Sequence, residues 1–184
     1  VVTLNYLKER TDDYSKIRIW GSIGFVLVVM ILGWVFDYLS VSYLPIFMLL
    51  MLLAIFICSL GVKGVTQTKH AEESAGFLVL LWRPEVLAFL VAAFLIQFSH
   101  GAYYTFFSLF LEGQGYSKSM IGFLWALGVM AEVVVFLVVH KLFKRVGYKP
   151  VLIVSFLLAA LRWYFTGHFA DVLWFLMLLQ LTHA

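Results

Sequence analysis

Three ionisable side chains lie inside long apolar runs. Glu132 sits in the middle of 120–140, Arg162 about a dozen residues into 151–169, and His183 near the far end of the run that begins at 172. Hydrocarbon disfavours a charged carboxylate, so an acid at that depth is rare and usually functional. It can load and unload a proton as its surroundings alternate between wet and dry. The plainer reading is a neutral acid hydrogen-bonded to a neighbouring helix. Arginine keeps its proton, so Arg162 needs an anion or strong acceptors beside it. At ~1.5 Å per residue, Glu132, His183 and Arg162 stand roughly 20, 17 and 12 Å from the outer face. All three fit one middle layer, so a proton-coupling cluster of Glu132, Arg162 and His183 is expected.

Further polar residues line up in the same way. Gln97, His100, Gly101, Tyr104 and Ser108 recur at three- and four-residue steps and share one helix face. Such a stripe lines a cavity or serves as hydrogen-bonding glue between helices. Trp125 and Gly128 share the face of Glu132. Arg18 is one residue inside the first apolar run, where it is either a snorkelling cation or a ligand contact. Gly21, Ser22 and Gly24 follow it as a small-residue face that permits close approach. Asp37 and Trp34 read as interface anchors.

The elements that carry these groups must be membrane spans. The 184 residues are 64% hydrophobic and only 12% charged, with a mean hydropathy of +1.00, which leaves too little charge for a soluble surface. The runs are too long and unbroken for a membrane β-barrel. An all-α polytopic transmembrane bundle is expected, with about six spans near 17–36, 44–62, 85–111, 120–140, 151–169 and 172 onward. Each full run is long enough to cross the ~30 Å hydrocarbon core. Lys8, Arg10 and Lys16, then Lys63, Lys69 and Arg83, then Lys141, Lys144, Arg145 and Lys149 fall on one side, against Lys118 on the other. Residues 1–16, 63–84 and 141–150 are therefore expected to be cytoplasmic. The cations lie in short segments beside helices, which is no nucleic-acid signature. Cys58 is the single cysteine, so no internal disulfide forms. No signal peptide is visible. The lack of an initiator Met and the stop inside an apolar run point to a piece of a longer protein. The polar stretch 63–84 reads as a linker between 1–62, two spans closing an N-terminal half, and 85–184, four spans of a C-terminal half with the last one cut short.

RIWGSIGF at 18–25, the long connector, the Ala131-Glu132 pair, KRVGYKP at 144–150, the buried Arg162 and the terminal LTHA resemble the major facilitator superfamily. The resemblance is to its phenylpropionate permease-like branch, related to lactose permease and the nucleoside:proton symporters. It covers the whole chain and implies helices 5 to 10 of twelve. It also implies that Arg18, Ser22 and Phe25 contact substrate, and that Glu132, Arg162 and His183 form the proton-coupling set. Arg145, Gly147 and Lys149 fit the family's basic cytoplasmic motif, while His140, Lys144 and Tyr148 depart from it. The seventh-helix acids of lactose permease are replaced by Gln97, His100 and Tyr104.

These readings combine into an expected function. The chain is expected to belong to a monomeric secondary transporter of the bacterial inner membrane, without cofactor or metal. It would bind a proton and a small organic molecule, foremost an aromatic carboxylate such as phenylpropionate, through Arg18, Ser22, Phe25, Gln97, His100, Tyr104 and Trp125. A nucleoside or oligosaccharide symporter is the alternative within transport. Outside it stand a polytopic scaffold and a membrane-embedded enzyme. Against the enzyme, no metal-ligand pair of the H-E-x-x-H kind and no G-x-S-x-G elbow is present.

Overall fold

A computed structural model of the chain describes residues 14–61 and 81–183. The expected cytoplasmic segment 1–16 and linker 63–84 lie largely outside the described residues. What is described is helical: α1 (Tyr14–Tyr38), a 3-10 turn (Val41–Tyr43), α2 (Leu44–Leu60), α3 (Pro84–Gly113), α4 (Lys118–Val146), α5 (Tyr148–His168) and α6 (Leu173–Leu181). Among the described residues, five stretches are long and apolar enough to cross a membrane: Ile17–Tyr38, Val41–Leu60, Pro84–Gly113, Lys118–Val139 and Tyr148–His168. The chain is a multi-pass α-helical membrane bundle. The nine residues of α6 cover only ~14 Å.

Helix ends follow local chemistry. Pro84 opens α3 and Pro45 lies in the first turn of α2, positions where a missing N–H costs nothing. Ser117 caps α4, its Oγ accepting from the Met120 N–H at 3.3 Å. At its other end α4 runs past the expected boundary at 140 to Val146, so Lys141, Lys144 and Arg145 are helical and the expected 141–150 loop shrinks to a corner at Gly147. Apolar patterning marks where the membrane stops, and the helix does not stop there. Lysine and arginine are good helix formers, and Lys144 and Arg145 complement the negative end of the helix dipole. The corner needs φ of +86°, which glycine adopts without strain.

By contacts the helices fall into two compact units, one with α1, α2 and the chain from Leu111 onward, the other with α3 up to Phe110. In the first unit α4 is the hub. It packs most extensively on α1, and also on α6 and α5. Leu124, Ala126 and Leu176 are almost fully buried there, with Ile121, Phe36 and Leu179 close behind. Hydrocarbon gives no hydrophobic drive between helices, so close backbone approach does the work. A Cβ on Gly33 of α1 would stand 2.7 Å from the Lys118 carbonyl, and one on Gly122 of α4 would stand 2.5 Å from that of Val29. Gly21 and Gly24, expected to be the close-approach face, have open space around them. No residue of α2 is buried, and its ring contact to α1 is Phe36 on Phe47 at 5.5 Å. On the expected division at 63–84, the α1–α4 seam joins one half to the other.

Candidate functional site

Arg18 and Glu132 meet across the α1–α4 seam. Fifteen residues separate Arg18 from Gly33 on α1, and fourteen separate Lys118 from Glu132 on α4. Antiparallel packing that sets Gly33 against Lys118 therefore also sets Arg18 beside Glu132, ~20 Å further along. Arg18 Nη2 lies 3.5 Å from Glu132 Oε1, and the guanidinium carbon stands 4.4 Å over the ring of Phe136, one turn beyond Glu132. The pair is partly open, with side-chain exposures of 52% and 34%. Its separation exceeds the ~2.7–2.9 Å of a strong charge-assisted hydrogen bond.

An apolar groove of about 430 Å³ runs along the same seam. Ser22, Val26 and Leu27 of α1 and Met130, Ala131 and Val134 of α4 are among its lining residues. Ser22 is one turn from Arg18, and Ala131 directly precedes Glu132. Phe25 is 42% exposed and lies outside the groove lining.

The other two members of the expected cluster form a separate pair. Arg162 is 1% exposed. Its Nη1 contacts His183 Nδ1, and its guanidinium carbon stands 4.0 Å over the ring of Trp163. Arginine only donates, so in this contact Nδ1 of His183 is the acceptor. Gly128 brings this pair toward Glu132. A Cβ there would lie 3.2 Å from Gln180 Oε1 and 3.4 Å from the Cβ and Cγ of His183. His183 thus lies against α4 one turn, or ~6 Å of rise, from Glu132. The expected three therefore fall into two groups: Glu132 with Arg18, and Arg162 with His183, the latter lying against α4 one turn from Glu132. Trp125 is half-buried on the turn before Gly128.

Gln97, His100 and Tyr104 belong to the α3 unit. Gln97 is exposed, and Tyr104 is 52% exposed. His100 Nδ1 lies 2.9 Å from the Ile96 carbonyl of its own helix, and its ring is 5.9 Å from that of Tyr104.

Two contributors, Gln180 and Phe136, escaped the sequence reading, and Asp37, read as an interface anchor, has a further role. Gln180 is 1% exposed in α6; its place one turn before His183, polar in an apolar run, was the available signal. Phe136 had the i+4 spacing from Glu132. Asp37 binds the start of α4, accepting from the N–H groups of Lys118 at 2.7 Å and Ser119 at 3.2 Å. Its partners lie some eighty residues along the chain, and no local pattern marks them.

Residues 1–184, the whole chain, match the MFS_1 like family. The chain belongs to that family. Within it, the chain is similar to a probable 3-phenylpropionic acid transporter of Escherichia coli (strain K12), 33% identical over 96% of this chain and 47% of that protein. An uncharacterised transporter of Bacillus subtilis (strain 168) is 30% identical over 90% of this chain and 42% of its own length. The maltose permease of Geobacillus stearothermophilus is 27% identical over 95% and 44%. The chain thus spans about half the length of the curated relatives it matches. No solved structure matches it. The resemblance read from RIWGSIGF, Glu132, KRVGYKP and LTHA agrees with this family and with the likeness to the Escherichia coli protein.

Proposed function

We propose that the chain is part of a secondary transporter of the bacterial inner membrane that carries a small organic anion together with a proton, foremost an aromatic carboxylate. The observation that carries this reading is the Arg18–Glu132 pair set along an apolar groove. A guanidinium can hold a carboxylate by two parallel hydrogen bonds. The groove offers apolar surface for the body of the ligand, and Ser22 adds a hydroxyl. The adjacent acid supplies a proton site, with the Arg162–His183 pair a turn away to tune it. The likeness to a probable 3-phenylpropionic acid transporter supports the same substrate class. On the expected division between halves, the pair sits where rocking of one half on the other would open and close it.

A second reading, an oligosaccharide:proton symporter, is favoured by the likeness to a maltose permease. The groove speaks against it, because among the described residues Ser22 is the sole polar one in its lining. The test is uptake of labelled 3-phenylpropionate into proteoliposomes holding the full-length protein, driven by an inward proton gradient. Accumulation that unlabelled aromatic acids suppress and maltose does not is the expected result. Suppression by maltose alone would replace the first reading with the second.

A further inference from the structure

We infer that the substrate's carboxylate takes the place of Glu132 on Arg18, and that the displaced Glu132 then takes up the coupling proton. The inference rests on the transport reading above and goes beyond it, because it specifies what couples the two cargoes.

The geometry offers one guanidinium to two carboxylates. Arg18 holds Glu132 through a single 3.5 Å contact, with both side chains partly exposed. One contact of that length is weaker than two short charge-assisted hydrogen bonds, so a competing carboxylate displaces it. A substrate carboxylate reaching Arg18 from the groove can make two shorter hydrogen bonds, and it buries its apolar body against Val26, Leu27 and Met130 as it does so. The stacking of Arg18 on Phe136 holds the guanidinium in place during the exchange.

Glu132 is then a carboxylate in an apolar seam without its counter-ion. Among the described residues, the charged groups facing it from the elements packed on α4 are few. From α1 there is Arg18, now occupied. Just past the end of α6 there is His183, against Gly128 one turn away, whose Nδ1 is held by Arg162 of α5. His183 is engaged with Arg162 and does not take the place of Arg18 on Glu132. An isolated carboxylate in such surroundings binds a proton instead of staying charged.

The charges balance. Before binding, the site holds one guanidinium and one carboxylate. Afterwards it holds the guanidinium, the substrate carboxylate and a neutral Glu132. One O–H bond has formed, with the proton drawn from water on the side to which the site is open. One anion and one proton are loaded together with no net charge, and release reverses both steps. Neither cargo is stably held alone: an anion without its proton leaves Glu132 charged and unpaired, and a proton on Glu132 without the anion leaves Arg18 unpaired.

The test is proton uptake on substrate binding, followed with a pH-indicator dye in weakly buffered solutions of the full-length protein. Binding of 3-phenylpropionate should take up one proton per site, and the neutral 3-phenylpropanamide should bind about 10- to 100-fold more weakly and take up none. Glu132→Gln, which removes the competitor while keeping its shape, should still bind the acid, at least as tightly as the wild type, without proton uptake. Arg18→Lys, which keeps the charge but not the fork, should weaken acid binding and retain proton uptake for the fraction bound. Full proton uptake in Glu132→Gln, or equal binding of acid and amide by the wild type, would overturn the exchange while leaving transport in place. A folded full-length protein that binds and transports no small carboxylate would overturn both.

Discussion

Gly122 of α4 faces the backbone carbonyl of Val29 on α1 so closely that a methyl group would lie 2.5 Å from the oxygen. Backbone cannot swing aside as a side chain can, so the two helices must separate to admit Ala. Gly122→Ala should lower the stability of the detergent-solubilised protein by about 1–3 kcal/mol. Gly33→Ala, facing the Lys118 carbonyl at 2.7 Å, should behave alike. Gly21→Ala and Gly24→Ala meet nothing within 4 Å and should be tolerated. Thermal unfolding of the four variants checks the contrast.

Asp37 bridges the same seam at its other end by accepting from the N–H groups of Lys118 and Ser119. The first amides of a helix have no partner within it, and a carboxylate there also suits the dipole. Asp37→Ala should loosen this end, and Asp37→Asn, whose amide oxygen still accepts, should loosen it less. Thermal unfolding should rank the three proteins wild type, Asn, Ala in falling stability.

Tyr116 links the turn before α4 to the turn after α5 through a 2.8 Å hydrogen bond from its hydroxyl to the Ala170 carbonyl. Burial first, and then the nearby Asp171 carboxylate, hold its proton above the ordinary tyrosine value of 10.0. A raised value favours the folded state fully below that value, and the benefit is lost as pH climbs through the folded-state value. Thermal stability should therefore fall in alkaline solution. Tyr116→Phe should start about 1 kcal/mol lower and show a shallower alkaline decline. A stability–pH profile of both proteins tests this.

Gly128 sets α6 against α4 beside Glu132. Its neighbours are the side chains of Gln180 and His183 at 3.2–3.4 Å, which can yield by a few tenths of an ångström. Gly128→Ala should cost less stability than Gly122→Ala, yet displace His183 from its contact with Arg162. The pH dependence of uptake should shift while expression and thermal stability stay near wild type. An unchanged pH profile would mean that the Arg162–His183 pair does not act on Glu132.

The sequence showed the helices well because apolar length is a local property. The runs at 44–62, 85–111 and 151–169 lie within a few residues of α2, α3 and α5. The end of α4 was missed because hydropathy reports the edge of the membrane, and Lys141, Lys144 and Arg145 continue the helix beyond it. Glu132, Arg162, His183 and Arg18 stood out because a charge within an apolar run is conspicuous. Their partners did not, because pairing depends on how helices rotate and slide against one another. Depth alone put Glu132, Arg162 and His183 in one layer, but not on one another. What sets Arg18 on Glu132 is the close approach at Gly33 and Gly122, and those glycines look no different in sequence from Gly21 and Gly24, which touch nothing.

The proton role of Glu132 is tested most directly by comparing uphill accumulation with exchange in proteoliposomes of Glu132→Gln and wild type. The variant should lose accumulation driven by a proton gradient and keep exchange of labelled for unlabelled substrate. Accumulation by Glu132→Gln with wild-type extent and pH dependence would contradict it.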